Sequence, residues 1–171
     1  AGHSLIDCRF GTRIDRLMPC NGKWHLSSRN GADIIADSVV IAAGHTTPDL
    51  IPLKGEYRFK AIRGQVTHVP ETFIRAPKAV ICGQKYLNPG HNGVAVTGAT
   101  FDLHSSDPSV TDEANTENLE QLRDMLPGLF SEQGNGGDFE GRTGFRCTTH
   151  DYQSVAGVMA DCNGRSLESV Y

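Results

Sequence analysis

A single segment of the chain has helical periodicity, and this limits the possible folds more than any other feature of the sequence. Leucine and methionine recur at helical spacing from Leu119 to Leu126. Thr111 or Asp112 caps the predicted helix, and the acidic residues that follow favour its positive N-terminus. The remaining sequence consists mainly of short strand patterns separated by turn residues. We therefore predict an α+β fold: an antiparallel, strand-rich layer with one clear helix, joined to part of another sheet.

Turn residues and apolar runs locate several of the predicted strands. The Asn-Gly pair at 21–22 predicts a hairpin, because both residues tolerate the positive φ of a type I′ turn. The continuous apolar run at 39–43 predicts a strand that is buried on both faces. Residues 57–70 predict a strand on both sides of Gly64, with a basic, solvated face that includes Arg63. Residues 88–90 (Asn-Pro-Gly) and 91–93 (His-Asn-Gly) predict turns.

Composition excludes some classes of function. The 171 residues have a net charge of −4 and a pI near 5.9, which argues against a general binder of nucleic acid or anionic membranes. No apolar run approaches the ~20 residues of a membrane span, and no signal peptide opens the chain. The five cysteines are scattered and form no C-x-x-C pair. We therefore expect reduced thiols in a cytoplasmic protein, and no metal site.

The segment "GRTGFRCTTHD" contains the one group of residues whose chemistry calls for a specific kind of partner, an anion. If it is a strand, then Arg142, Gly144 and Arg146 share one face. A guanidinium group remains charged at any relevant pH, and its fork matches a carboxylate or a phosphate. Pattern alone leaves two alternatives open: a structural ion pair with an acidic side chain, or a site for an anionic ligand.

Four segments in order resemble a known superfamily. They are "ADSVVIAAGH", "IRGQVTHVP", "KYLNPGHNGVAVTGATF" and "GRTGFRCTTHDYQSVAG". Their order and spacing are similar to those of the FAD-dependent amine oxidoreductases of the D-amino-acid oxidase superfamily. Within it, the R-G-Q-V and G-R-x-G-x-R motifs resemble the branch that modifies the wobble uridine of tRNA.

The resemblance implies a two-domain flavoenzyme. Residues 1–45 are then the inner part of the FAD-binding domain, 46–146 an antiparallel substrate-binding domain, and 147–171 a truncated return toward the FAD domain. The G-x-G-x-x-G unit that holds the FAD pyrophosphate is absent from this sequence. We therefore expect a fragment of a longer protein that binds FAD weakly or not at all and is inactive alone.

The resemblance also implies a reaction and its partners. The parent enzyme would use FAD to remove the carboxymethyl group from 5-carboxymethylaminomethyl-(2-thio)uridine in tRNA. Its partners would be the tRNA substrate and a fused methyltransferase module, with no membrane and no metal.

Site residues follow from the same resemblance. Arg146 matches the arginine that binds the substrate carboxylate, Tyr86 matches a substrate-site tyrosine, and Arg142 is typical of the tRNA-modifying branch. A further set would lie near the flavin: Ala43, Gly44, Gly64, Gln65 and Gly157.

Two alternatives remain open. One is an oxidase of small amino acids of the sarcosine type, which the acidic net charge mildly favours. The other is a non-catalytic interaction domain on an oxidase scaffold. The feature that favours it is Ser154, which stands where the family usually has proline.

Overall fold

The computed structural model describes residues 3–29, 31, 33–51, 59–75, 77–131, 138–158 and 168–169. The chain divides into two compact units: an N-terminal unit of residues 1–59 and 149–171, and a central unit of residues 60–148. Neither described helix has the length and apolar content that a membrane crossing requires. Four cysteines are free thiols, and Cys162 lies outside the described residues.

The N-terminal unit contains a three-stranded antiparallel sheet in the order β1-β2-β3. Its strands are β1 (Ile14–Cys20), β2 (Lys23–Ser28) and β3 (Ile34–Ala36). The predicted hairpin between β1 and β2 is confirmed, because Asn21 and Gly22 have φ values of 51° and 74°. Such a pair of positive φ angles is what a two-residue type I′ connection requires.

The apolar run at 39–43 is not the doubly buried strand that its pattern predicts. These residues pair with no described strand, and Val40 is 91% exposed. An apolar run favours an extended backbone, but a strand also needs a partner, and none of the described strands supplies one. A 3-10 turn (Gly44–Thr46) and the short helix α1 (Thr47–Leu50) follow.

The central unit is a five-stranded antiparallel sheet with a helix packed on one face. The strand order is β5-β6-β7-β4-β8. The elements are β4 (Lys60–Pro70), β5 (Ile81–Cys82), β6 (Tyr86–His91), β7 (Val94–Gly98), α2 (Asp112–Met125) and β8 (Gly141–Thr148). This sheet, with few helices, confirms the predicted α+β class.

Helix α2 begins as its sequence predicts. The Thr111 hydroxyl caps it by accepting a hydrogen bond from the Ala114 backbone N–H. Leu119 and Leu122 are fully buried, and Met125 packs against the same core. The other buried core members are Val69, Ile74, Leu87, Ala95 and Phe139. The leucine and methionine stripe is therefore core packing.

Two local expectations in the central unit are wrong. Residues 88–90 do not form a turn; they belong to β6, whose register with β7 shifts between Asn88 and His91. The turn predicted at 91–93 is confirmed, because the chain reverses at Asn92 and Gly93, which have φ values of 53° and 80°. Arg63 does not lie on a solvated face, since it is only 5% exposed.

Buried polar side chains join β4 to α2. Asn115 accepts hydrogen bonds from Gln65 Nε2 at 2.9 Å and from Thr67 Oγ1 at 2.8 Å, and it donates to the Phe139 carbonyl at 2.7 Å. Asn118 donates to the Gln65 carbonyl at 2.9 Å. Helix and sheet are thus fixed to each other by directional bonds as well as by apolar contact.

We expect Asn115→Ala to lower the free energy of unfolding by about 2–4 kcal/mol, because it removes three buried hydrogen bonds, those to Gln65, Thr67 and the Phe139 carbonyl. Urea denaturation measures this change. Glu120→Ala, at an exposed position of the same helix, is the matched control and should stay within about 0.5 kcal/mol of the wild type. Equal stability of the two variants would contradict a structural role for the buried bonds.

Candidate substrate and cofactor site

Strand β8 places both arginines on one face of the sheet. Arg142, Gly144 and Arg146 are exposed, whereas the residues between them are half-buried. Residues directly opposite each other in antiparallel strands project to the same side, so the register extends this face across the sheet. We call it the arginine face, and its members are Arg142, Gly144 and Arg146 on β8, Ile62, Gly64 and Val66 on β4, Gly98 on β7 and Tyr86 on β6.

The Arg146 guanidinium lies over the backbone of β4. Its Nη1 donates to the Thr100 carbonyl at 3.4 Å, and its Cζ lies 5.9 Å from the centroid of the Phe101 ring. A single long bond to a carbonyl leaves most of the five guanidinium N–H donors available. Arg146 is therefore a positioned cation on an open surface.

Gly64 makes room for that guanidinium. A Cβ atom at Gly64 would lie 2.6 Å from Arg146 Nη1 and 3.0 Å from the Thr100 carbonyl oxygen. Gly144, which pairs directly with Gly64, is different, since a Cβ there would have nothing within 4 Å. The sheet thus has no side chain at two adjacent positions. The placement of the Arg146 guanidinium requires a glycine at position 64 but not at position 144.

Gln65 connects the arginine face to the helix. Its backbone N–H donates to Thr100 Oγ1 at 2.9 Å, and its carbonyl accepts from the Thr100 N–H at 3.1 Å. Its side chain is fully buried on the helix side, where it bonds Arg63, Thr111 and Asn115. Any contact of Gln65 with a cofactor would therefore have to come from its backbone.

Arg142 and Tyr86 lie at the two ends of one row across the sheet. Tyr86 pairs with Gly98, Gly98 with Val66, and Val66 with Arg142. Three strand spacings separate the ends, so their Cα atoms are about 14 Å apart. Gly98 and Val66 lie between them, and a Cβ at the buried Gly98 would lie 2.9 Å from Val66 Cγ1.

The loop after Thr100 is fixed by Asp102. Its carboxylate accepts hydrogen bonds from the His104 and Ser105 backbone N–H groups at 2.9 and 3.1 Å. These two bonds, and secondarily the charge of Arg63, hold the pKa of Asp102 below its ordinary value. The exchange of two backbone hydrogen bonds between Asp102 and Arg63 ties this loop to β4.

No ion pair among the described residues includes Arg142 or Arg146. The structural ion pair that the sequence leaves open is therefore absent from the described part of the chain. Within the same residues there is no cluster of three potential metal ligands. Burial raises the pKa of the nearby Cys147 thiol, which favours the unreactive protonated form.

The remaining predicted cofactor residues belong to the N-terminal unit. Ala43 lines an apolar cleft of about 470 Å³, together with residues such as Leu17, Leu26 and Ile41. Gly44 has a φ of +57° and begins the 3-10 turn. Gly157 begins strand β9 (Gly157–Val158), which pairs with β10 (Glu168–Ser169). Their contact with a flavin remains a prediction.

Sequence reasoning missed three residues that support the site. Thr100 supplies the carbonyl that holds Arg146, and Phe101 lies beside the guanidinium. Asn115 accepts a hydrogen bond from the Gln65 side chain on the helix side of the sheet. Thr100 and Phe101 end the segment "VTGATF", so their place directly after a strand was a signal for the first two. An asparagine inside a helical pattern gave no comparable signal.

The chain belongs to the FAD dependent oxidoreductase family, whose model matches residues 6–165. Curated relatives are longer proteins called "tRNA 5-methylaminomethyl-2-thiouridine biosynthesis bifunctional protein MnmC". The one from Marinobacter nauticus is 43% identical over 172 residues, which cover 99% of this chain and 27% of that protein. The one from Pseudomonas fluorescens is 37% identical, covering 94% of this chain and 25% of that protein. The chain thus spans about a quarter of these relatives.

Solved structures are similar in fold. Glycine oxidase from Bacillus cereus has a TM-score of 0.63 at 22% identity, over 86% of this chain and 40% of that one. Iminodiacetate oxidase from Chelativorans has a TM-score of 0.60 at 24% identity, over 83% and 39%. The expected fold of D-amino-acid-oxidase-like flavoenzymes is confirmed.

We expect Gly64→Ala to displace the Arg146 guanidinium, because the new Cβ would lie 2.6 Å from its Nη1. The change should also cost about 1–3 kcal/mol of stability through the close Thr100 carbonyl. NMR of the arginine Nε–H groups and urea denaturation measure the two effects.

Gly144→Ala is the matched control for this prediction, since its Cβ would meet nothing within 4 Å. It should leave the Arg146 signal unchanged. An undisturbed Arg146 in Gly64→Ala would show that the guanidinium does not depend on the missing side chain.

Proposed function

We propose that this chain supplies the substrate-binding sheet of an FAD-dependent oxidoreductase that removes the carboxymethyl group from 5-carboxymethylaminomethyl-(2-thio)uridine in tRNA, in the cytoplasm. The single observation that carries the proposal is the Arg146 guanidinium, held against Gly64 by a backbone carbonyl and free of acidic partners among the described residues. Relatives named for a step in tRNA wobble-uridine biosynthesis support the choice of substrate.

Arg146 would bind the substrate through its carboxylate. A guanidinium fork gives two parallel, charge-assisted hydrogen bonds to a carboxylate, and these fix direction as well as position. The carbon to be oxidised is attached directly to that carboxyl group, and the secondary amine is attached to the same carbon. Holding the carboxylate therefore orients the reacting C–H bond, a contribution of positioning.

The open backbone at Gly144 fits the ring end of a flavin, whereas the Arg146 guanidinium already covers Gly64. Nothing lies within 4 Å of a Cβ at Gly144, so a flat ring can approach the backbone there. No residues of this sequence match the G-x-G-x-x-G unit that would hold the pyrophosphate. This chain therefore fits the flavin ring of FAD but not its pyrophosphate.

Bound FAD would accept a hydride from the carbon between the amine and the carboxylate, after which water releases glyoxylate and leaves the aminomethyl group on uridine. Molecular oxygen or another acceptor would reoxidise the reduced flavin. The residues of this chain contribute binding and orientation, and Tyr86 would border the substrate at the far end of the row from Arg142.

The isolated chain should retain no stoichiometric FAD after purification and gel filtration, because it lacks the phosphate-binding unit. Absorbance at flavin wavelengths, together with equilibrium titration with FAD, measures this. As a control, the Marinobacter nauticus protein with its matched segment replaced by this chain should retain the cofactor. A yellow, stoichiometric complex of the isolated chain would contradict the proposal that the chain alone is inactive.

In that chimaera, Arg146→Gln should lower kcat/KM on undermodified tRNA roughly 10- to 150-fold, since a charged hydrogen-bonded contact is worth about 1.5–3 kcal/mol. Anaerobic reduction of the flavin by tRNA, sarcosine or glycine gives the rates. Arg75→Gln removes an exposed arginine that lies away from the arginine face and is the matched control. Faster turnover of sarcosine or glycine than of tRNA would favour the small-molecule oxidase instead.

A further inference from the structure

We propose that Arg142 binds a phosphate of the same nucleotide whose carboxymethylamino group Arg146 holds, so that the arginine face recognises a nucleotide rather than a free amino acid. The inference rests on the proposed function. The carrying observation is the spacing of two arginines on one open strand face, neither of which is ion-paired within the described residues.

The spacing is too long for a small amino acid. The two arginines are four positions apart along β8, which places their Cα atoms about 13 Å apart. Sarcosine and glycine have one carbon between amine and carboxylate, so a molecule held at Arg146 leaves Arg142 without a contact. A recognition role for Arg142 therefore requires a ligand with a second anionic group farther away.

A modified nucleotide has the required length. From the carboxyl carbon, the path runs through the aminomethyl link and across the uracil ring to ribose and the 5′-phosphorus. It has twelve bonds, a contour of roughly 18 Å at about 1.5 Å per bond, which is enough to span the spacing of about 13 Å. The Arg146 guanidinium already leans along the strand, over Gly64, and Gly64 lies opposite Gly144. Both arginine side chains can therefore reach one ligand.

The surface between the two arginines is open. Gly144 lies between them, is exposed, and has nothing within 4 Å of a Cβ position. Tyr86 closes the other end of the Arg142 row, across Gly98 and Val66. An aromatic ring that can face a base and an arginine that can pair with a phosphate are the two contacts that single-stranded RNA sites combine.

The charge of the chain fits this limited contact. A net charge of −4 excludes a broad phosphate-binding surface, and the exposed Glu140 lies two residues before Arg142. A site with one phosphate contact needs only one arginine at a defined position. The carboxylate bound at Arg146 fixes one end of the ligand. The contact at Arg142 therefore specifies which phosphate is bound at the other end.

The test compares 5-carboxymethylaminomethyluridine with its 5′-monophosphate, titrated into the isolated chain and followed by backbone NMR shifts. We expect the phosphate to raise affinity about tenfold in the wild type, in line with a contact worth about 1.4 kcal/mol. Arg142→Gln should give equal affinities for the two ligands. Arg75→Gln, which removes the same charge away from the arginine face, should keep the tenfold difference.

The outcomes separate this proposal from the proposed function. Equal binding of the two ligands by the wild type, or a phosphate preference that persists in Arg142→Gln, overturns the role of Arg142. Loss of the preference in Arg75→Gln also overturns it, because general charge would then explain the effect. Arg146→Gln should weaken both ligands equally, and an unchanged affinity there contradicts the carboxylate site under the proposed function. If neither ligand binds, both the role of Arg142 and the proposed function are overturned.

Discussion

The two-sided hydrogen bonding of Gln65 is the interaction on which the candidate site depends. Its side chain joins β4 to Thr111 and Asn115 of the helix region, and its backbone joins β4 to Thr100. The Thr100 carbonyl then accepts a bond from Arg146. One residue thus links the packing of the helix to the placement of a cation on the opposite face. The cation is held by a backbone carbonyl just after β7 that is itself bonded to β4, so its position does not depend on flexible surface side chains.

Much of the central unit could be predicted because its signals are local. The alternation along β8, the Thr111 cap and the apolar stripe of α2 each lie within one element, and the structure has all three. The missing strand pairing at 39–43 could not be predicted from that segment alone, because pairing also depends on a second segment. Asn115 was missed for a similar reason: its buried partners are far away in sequence.

The two arginines of β8 have the same pattern in sequence and different surroundings in space. Arg146 faces Gly64, the one neighbouring position where a side chain would displace it, and the Thr100 carbonyl lies within reach. Arg142 is paired with Val66, and among the described residues its guanidinium has no such acceptor. A guanidinium that already bonds a carbonyl loses less rotamer freedom when it binds an anion. Arg146 is therefore suited to affinity, whereas Arg142 is suited to discrimination between ligands.

The proposed role in tRNA modification is compatible with an acidic chain if recognition relies on a few defined contacts. Non-specific binding grows with the number of phosphates that are neutralised, and each adds to the salt dependence of the affinity. A chain with net charge −4 gains little of this general attraction. It can still select a nucleotide when a carboxylate and a phosphate meet two arginines at a fixed spacing, since a ligand lacking either group leaves one arginine unsatisfied. Under the proposed function, the low positive charge would improve selectivity, because it would suppress the binding of RNA that lacks the modified uridine.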